Sequence, residues 1–429
     1  MTISATTEPV TAPPPLRRNL RFQLLWIGMT TSSLGVSVAD IAYPLAILTV
    51  TGSPARAGLF AAVQMIGTLL AGLPAGSLAD RYNPRTIVIV AQACRAAVTA
   101  VVTIALITGW LSLALLLIAA VLLGAGAAAG NPAAMLLLRS VVPNEQLNTA
   151  LAQDQVRANG AQLAGPPLGG ALYSIRALSH AAPFLFTAAS FVVSVVTAVA
   201  LKALPGAGRA LDQALDQASP ATQGPDDGRK RDGGMLAGLR ALWGHPLMRP
   251  ALVLILLVNT IGAGLDLIVI VLLRHQGVPS VQIGLALGVG SAGGIAGIVL
   301  VKALHRLRPG VVLLIPCVSF GPAVLLLAVP FGPWWVAAIL FTVTLSVPAA
   351  LVALDIVVLR QAPAGQRGRI VAALMTMMTL GAPIGMVGCG LLLQYLAAQP
   401  ALLVLAAVLA VGLSYCATRR ALWQAPWPS

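Results

Sequence analysis

Charged residues are scarce in this chain. They make up only 9% of its 429 residues, whereas hydrophobic residues make up 58% and the mean hydropathy is +0.91. So little polar surface cannot cover a soluble globule, which argues against a water-soluble enzyme or binding domain. The apolar runs last for about twenty residues and do not alternate with polar residues as barrel strands do, so we expect an all-α integral membrane protein.

Lysine, cysteine and histidine are also few, and each shortage argues against one class of chemistry. The three lysines never follow glycine, so the Gly-Lys-Ser/Thr loop of an ATP-hydrolysing pump is absent. The four cysteines lie in predicted spans without a Cys-x-x-Cys pair, and the four histidines lack the spacing of metal ligands. We therefore expect no enzyme chemistry, no cofactor and no metal.

Twelve apolar spans are predicted between the charged or Pro/Gly-rich breaks. They cover residues 22–49, 58–79, 86–108, 111–131, 149–173, 181–203, 250–273, 281–301, 310–330, 334–357, 369–395 and 400–418. If the loops alternate between sides, 21 of the 26 lysines and arginines fall on one side and three on the other, with Arg95 and Arg157 inside the membrane. This asymmetry predicts that both termini are cytoplasmic, and it assigns the net charge of +14 to topology rather than to nucleic-acid binding.

The spans divide into two sets of six around a polar segment rich in Gly and Pro. The predicted domains are a disordered tail (1–21), an N-terminal bundle (22–203), a linker (204–248), a C-terminal bundle (249–418) and a cytoplasmic tail (419–429). A shift of 226 residues aligns the halves, placing Asp40 on Asp266 and Gly58 on Gly284. Two bundles in a parallel repeat are typical of one class of secondary transporters.

Residues 76–85, Gly-Ser-Leu-Ala-Asp-Arg-Tyr-Asn-Pro-Arg, are predicted to form a charged turn between the second and third spans. They resemble the signature loop of the major facilitator superfamily, Gly-x-Leu-Ala-Asp-Arg-x-Gly-Arg/Lys-Arg/Lys. The matching residues are Gly76, Leu78, Ala79, Asp80, Arg81 and Arg85. Asn83 and Pro84 depart from the pattern. The resemblance implies a cytoplasmic gate in which Asp80 latches onto the start of the eleventh span; the alternative is a basic loop that only anchors topology.

The fifth span contains a second resemblance, to the antiporter signature Gly-x-x-x-Gly-Pro-x-x-Gly-Gly of exporters in this superfamily. Gly165, Pro166, Gly169 and Gly170 match, and Ala161 replaces the first glycine. Small residues and proline permit close packing and bending, which implies a seal near the outer face; a plain helix contact is the alternative. Looser likenesses point to the bacterial drug-, macrolide- and siderophore-exporter branch. They lie at Leu16–Phe22, Leu48–Ser53 and Asn131–Ala133.

Acids at membrane depth are the main candidates for chemistry. Asp40 and Asp266 lie within the first and seventh spans, where an ionised carboxylate costs on the order of 3 kcal/mol, so each is a proton or cation site or part of a buried ion pair. Asp154 and Arg157 are three residues apart on one helix and form either a structural pair or a partner-exchanging one. The candidate hydrogen-bonding residues of the cavity are Tyr43, Gln64, Gln153, Asn159 and Asn259.

These observations lead to one predicted function with two alternatives. The prediction is a monomeric, proton-coupled antiporter in the plasma membrane that exports a small hydrophobic organic compound, such as a drug or natural product, by alternating access. A solute importer of the same fold is one alternative. A membrane sensor or scaffold that transports nothing is the other, although it leaves the paired acids unexplained.

Overall fold

The structure, a computed structural model, describes residues 16–175, 180–203, 248–304, 309–329, 331–349, 351–352 and 367–417. Within these ranges all regular structure is helical. Twelve α-helices have at least 13 residues. They are α1 (Leu20–Thr51), α2 (Pro54–Arg81), α3 (Pro84–Ile107), α4 (Leu113–Val141), α5 (Leu147–Tyr173), α6 (Ala182–Ala203), α7 (Met248–His275), α8 (Ser280–Leu304), α9 (Pro309–Leu327), α10 (Pro333–Leu345), α11 (Arg367–Tyr395) and α12 (Ala398–Ala417).

Each helix corresponds to one predicted span, so the predicted all-α membrane fold of two six-helix bundles is confirmed. Seven of the helices are long and apolar enough to cross a membrane by length and composition. The predicted linker and the two predicted tails fall largely outside the described residues, and their boundaries stay predictions.

Two predicted helix ends are wrong. The expected turn over residues 76–85 is mostly helical, because α2 continues to Arg81 and Asn83 at once caps α3 by accepting a hydrogen bond from the backbone N–H of Arg85 at 3.0 Å. The fourth span does not end at residue 131 but continues past Pro132 to Val141. A proline is tolerated inside a membrane helix when neighbouring groups satisfy the backbone carbonyl that it frees.

The helices pack as two groups that meet along two seams. In the first half α1 packs on α5 and α6, α2 on α4, and α3 on α4 and α6; in the second half α7 packs on α11 and α12, and α8 on α10. The seams between the halves are α2 against α11 and α5 against α8. These four helices therefore decide how the two halves can move relative to each other.

Candidate functional site

A cavity of about 360 Å³ lies between the two halves. Its walls come from α1, α2 and α7 together with one residue of α11. The lining residues are Ala39, Asp40, Tyr43, Pro44, Ala57, Gly58, Phe60, Ala61, Gln64, Met65, Thr68, Ala263, Asp266, Leu267, Ile270 and Met386. Most of them are apolar, and a few polar groups interrupt an otherwise hydrophobic wall, as in other small-molecule sites.

Asp40 and Asp266 face this cavity from opposite halves. Both carboxyl side chains are exposed to it, and the two acids interact electrostatically. Pro44 follows Asp40 by four residues on α1 and also lines the cavity. Proline has no N–H to bond the carbonyl of Asp40, so the backbone of α1 is loosened beside the acid.

Tyr43 and Gln64 are the predicted polar residues that line the cavity. The Tyr43 ring is only 4% exposed, because it stacks on Phe60 with centroids 4.5 Å apart and meets Phe184 edge-on at 4.9 Å. Its hydroxyl faces Thr99, with no partner within 3.5 Å among the described residues. This packing fixes the ring at the cavity wall.

The other predicted cavity residues are not among those that line it. Asn159 accepts a hydrogen bond from Gln155, one turn away on the same helix, at 3.1 Å. Gln153 and Asn259 are partly exposed elsewhere on α5 and α7. Their predicted role in the cavity stays a prediction.

The cavity is closed at one end by close glycine contacts along both seams. A Cβ added to Gly58 would lie 3.1 Å from the Cα of Gly390, and one added to Gly170 would lie 3.3 Å from the Cα of Gly284. Only glycine allows backbones to approach this closely. Gly58 and Gly284 are also the pair that the internal repeat aligns, so the two seams are related by the pseudo-symmetry of the fold.

Two polar contacts join the halves at the same end. The Ser53 hydroxyl donates to the side-chain oxygen of Gln394 at 2.7 Å, and Arg274 donates to the carbonyl oxygen of Leu45 at 3.2 Å. Both contacts must break before this end can open.

The close glycine contact at Gly58 has no counterpart near Gly72 or Gly76 among the described residues. Gly76 lies about five turns beyond Gly58 on the same side of α2. No atom of the described residues outside its own helix lies within 4 Å of where its Cβ would be, and the same is true of Gly72. Among the described residues, close packing across this seam is therefore seen at the Gly58 end.

The antiporter-like segment of α5 packs against both α1 and α8. Gly165 lies against Ser37, Gly169 lies against Val38, and the carbonyl of Pro166 lies against Gly284. Pro166 and Pro167 stand inside α5, next to the α8 seam. The segment is thus a junction between the cavity helix α1 and the second half.

Arg157 binds α1 well away from the cavity. It forms an ion pair with Asp154 at 2.8 Å and donates hydrogen bonds to the carbonyl oxygen of Met29, at 2.7 Å, and to the hydroxyl of Ser33. Ser33 precedes Asp40 by about two helical turns. This geometry matches the structural pair rather than exchange of partners with Asp40.

The charged residues of the predicted gate loop lie on two helices. Asp80 is in the last turn of α2 and Arg81 ends that helix, exposed. Arg85, at the start of α3, donates hydrogen bonds to the carbonyl oxygens of Ala198 at 2.7 Å and Val199 at 3.1 Å. It thereby places a positive charge near the C-terminal end of α6, where the helix dipole favours a cation.

The surroundings of Arg95 could not be predicted from the sequence. This residue of α3 is only 5% exposed, and its guanidinium lies 4.3 Å from the ring centroid of Phe191. It donates to Gln92 at 3.4 Å, and Gln92 in turn donates to Ser32 of α1 at 2.9 Å. An arginine at membrane depth was the available signal, but its partner lies more than fifty residues away.

Two bundles that share one cavity, packed together at one of its ends, define a membrane transport protein. The family model of the Major Facilitator Superfamily matches residues 25–386, so the chain belongs to that superfamily. The resemblance in the sequence is thereby confirmed.

A curated relative is the multidrug efflux pump Tap of Mycobacterium tuberculosis (strain ATCC 25618 / H37Rv). The two are 26% identical over 281 residues, which are 64% of this chain and 63% of the pump. The proteins of the same name from two Mycobacterium bovis strains match equally. The matched region spans less than two thirds of the length of these relatives.

Solved structures share the fold at low identity. The nucleoside transporter NupG has a TM-score of 0.71 at 15% identity, covering 95% of this chain and 99% of its own. A bacterial homologue of the iron transporter ferroportin, in an inward-facing state, has a TM-score of 0.69 at 20% identity. The match covers 95% of this chain and 99% of the homologue. The xylose transporter XylE from E. coli has a TM-score of 0.64 at 11% identity, and the match covers 94% of this chain and 96% of XylE. These likenesses establish the fold alone.

Proposed function

We propose that the protein is a proton-coupled antiporter that exports a small hydrophobic organic compound by alternating access. The observation that carries the proposal is that Asp40 and Asp266, one from each half, face the same cavity. A carboxylate at membrane depth is costly and usually belongs to a transport or proton pathway. Two of them at repeat-related positions give each half an acid that protons can reach.

The coupling follows from simple electrostatics. Two like charges facing one small cavity repel each other, and a proton bound to either acid removes that repulsion. Protonation therefore stabilises one conformation of the two halves relative to the other, and a ligand that prefers the second conformation shifts the balance back. Substrate and proton then move in opposite directions through the same cavity.

The direction of transport is inferred from the basic loops. If both termini are cytoplasmic, the packed end with Ser53, Gln394 and Arg274 faces outward. A conformation closed at this outer end would load substrate from the cytoplasm and release its proton there. The two moving bodies would be residues 22–203 and 249–418, joined by 204–248, in a monomer of the plasma membrane.

The cavity wall supports a hydrophobic organic substrate. Phe60, Leu267 and Ile270 supply apolar area, whereas Gln64 and Thr68 offer a few hydrogen bonds. A volume of about 360 Å³ is within the range of small-molecule sites. The relationship to a multidrug efflux pump supports export and a drug-like compound.

Transport by the purified protein in liposomes tests the proposal, with ethidium as the first of a panel of hydrophobic dyes. An imposed proton gradient should drive dye movement against the protons, and a protonophore should abolish it. Asp40→Asn should uncouple dye movement from the gradient, whereas Glu145→Gln, in an exposed 3-10 turn outside the cavity, should behave as the wild type. Dye movement down the proton gradient would favour an importer, and coupling that survives Asp40→Asn would refute the proposed proton site.

A further inference from the structure

We propose that one corner of the first bundle binds the headgroup of an anionic phospholipid. The corner, called here the α1–α4 corner, consists of the 3-10 turn Leu16–Arg18, the start of α1 and the end of α4. It presents the exposed guanidinium groups of Arg17, Arg18 and Arg139. Such binding depends neither on the coupled proton nor on the direction of transport, and it gives a partner to a basic segment that transport leaves without a role.

The 3-10 turn is anchored to the bundle by one buried side chain. Leu16 is 6% exposed and packs in a cluster with Leu137 of α4 and Leu201 of α6. The two residues that follow it, Arg17 and Arg18, are exposed. Because the leucine fixes the turn against α4 and α6, the two guanidinium groups are held at this corner instead of moving freely with a tail.

Asn19 ties the same corner together from the other side of the turn. Its side-chain oxygen accepts hydrogen bonds from the backbone N–H groups of Arg21 at 3.1 Å and Phe22 at 3.2 Å, which caps α1. Its Nδ2 donates to the carbonyl oxygen of Val141, the last residue of α4, at 3.2 Å. One side chain therefore joins the start of α1 to the end of α4, within two residues of both arginines of the turn.

Arg139 brings a third guanidinium group to the corner, from the last turn of α4. It lies one turn from Met135 and one turn from Val142, and both of these pack on the cluster that contains Leu16. Side chains three and four residues apart lie on the same face of a helix. Arg139 therefore stands at the rim of this cluster, and the three arginines border one buried core.

No acid of the described residues neutralises these groups. No carboxylate in that part of the chain lies within 4.0 Å of Arg17, Arg18 or Arg139, and none of the three side chains has a hydrogen-bond partner there. Glu145, six residues after Arg139, is exposed and pairs with none of them. Guanidinium groups match the geometry of phosphate oxygens, so this corner is suited to a phosphate that carries a net negative charge.

Exposed apolar side chains beside the arginines favour a lipid over a soluble phosphate. Leu20, two residues after Arg18, is 66% exposed, and Leu136, which shares a face of α4 with Arg139, is 36% exposed. Leucines at the end of a membrane helix suit acyl chains, and arginines just beyond them lie at the level of the headgroups. One phospholipid could thus contact both kinds of side chain.

Native mass spectrometry of the purified full-length protein tests the proposal, with phosphatidylglycerol and the zwitterionic phosphatidylcholine as probes. The wild type should bind phosphatidylglycerol more tightly than phosphatidylcholine. Each of Arg17→Gln, Arg18→Gln and Arg139→Gln should weaken phosphatidylglycerol binding by about fivefold, and the triple variant should lose the preference. Inorganic phosphate at an equal concentration should not displace the lipid, since it lacks acyl chains.

Two variants separate a built site from diffuse surface charge. Arg56→Gln removes one equally exposed guanidinium group from the start of α2, beyond the other end of α1, and should leave phosphatidylglycerol binding unchanged. Leu16→Ala keeps every charge but removes the anchor of the turn, so it should weaken phosphatidylglycerol binding. Replacing the three arginines by lysine should retain most of the preference, because the charge remains.

The outcomes are distinct from those of the dye assay. A triple variant that still prefers phosphatidylglycerol overturns the proposal, and so does a loss in Arg56→Gln as large as the loss in Arg139→Gln. Displacement of the lipid by inorganic phosphate would assign the corner to a soluble anion instead and would overturn the lipid. A preference that is lost in the triple variant, weakened in Leu16→Ala and unchanged in Arg56→Gln supports the proposal, whatever Asp40→Asn does to coupling.

Discussion

The glycine contact between α5 and α8 allows a direct test of how the cavity is closed. In Gly284→Ala the new methyl carbon would lie 2.9 Å from the carbonyl carbon of Pro166 and 3.2 Å from the Cα of Pro167. Both neighbours are backbone or ring atoms of a rigid Pro-Pro step, so the seam must separate rather than rotate a side chain away.

The size of the effect can be estimated from packing. Adding a methyl group where there is no room costs about 1–3 kcal/mol. This strain exists only while the end is packed, so it favours the conformation in which that end is open. Since about 1.4 kcal/mol corresponds to a tenfold change in an equilibrium constant, the ratio of packed to open protein should fall by about fivefold or more.

The other seam supplies the measurement. In a background without the four native cysteines, Ser53→Cys and Gln394→Cys replace two side chains that are joined at 2.7 Å across α2 and α11. The rate of cross-linking by a short reagent reports the packed fraction. Because this pair is remote from Gly284 in sequence and lies on the opposite seam, a lower rate would show movement of whole halves rather than local spreading.

Gly294→Ala on the same helix is the matched control. No atom of the described residues outside its own helix lies within 4 Å of its added methyl group, so its cross-linking rate should equal that of the parent. Equal rates in Gly284→Ala and Gly294→Ala would refute the reasoning, because the α5–α8 contact would then not hold this end closed.

Two further predictions concern charged residues outside the cavity. Asp80→Asn should weaken dye transport and leave dye binding largely intact. An acid in the last turn of α2 is disfavoured by the dipole of its own helix, so it is stabilised only by the N-terminus of another helix, such as α11. An unchanged transport rate would leave this residue as a topological anchor. Arg157→Gln should destabilise the protein by about 3 kcal/mol, because it strands Asp154 and removes two bonds to α1. The check is a lower melting temperature in detergent that Asp154→Asn partly restores; lost transport at an unchanged melting temperature would instead assign Arg157 to the coupling.

The hydropathy of the sequence predicted the helices well because the bilayer leaves few alternatives. A backbone in lipid must bond internally, so each long apolar run becomes a helix and the charged breaks become loops. The errors came where polar residues remained helical. Asp80 and Arg81 extend α2, whose C-cap Tyr82 comes just before Asn83 caps the start of α3, and Pro132 lies within α4.

The internal repeat predicted part of the site, because pseudo-symmetry acts on the sequence itself. It paired Asp40 with Asp266 and Gly58 with Gly284, and the structure places the acids on one cavity and the glycines on the two seams. Whether each of the remaining polar side chains points into the cavity could not be predicted. Helices buried on several sides have weak amphipathic patterns, so nothing in the sequence separated Gln64, which lines the cavity, from Gln153, which does not.

The repeat makes the two acids look equivalent, but the structure distinguishes them. Pro44 follows Asp40 by four residues on α1, whereas Ile270 follows Asp266 by four residues on α7, so only the helix beside Asp40 loses a backbone hydrogen bond there. The shift of 226 residues that aligns the acids places Gly321 of α9 opposite Arg95, so the second half has no cation at the corresponding position. Two carboxylates that face one cavity in unequal surroundings will not hold their protons equally. If Asp40 is the coupled proton site, the first half carries the coupled proton, and Asp266 is left to respond to whatever charge the cavity admits.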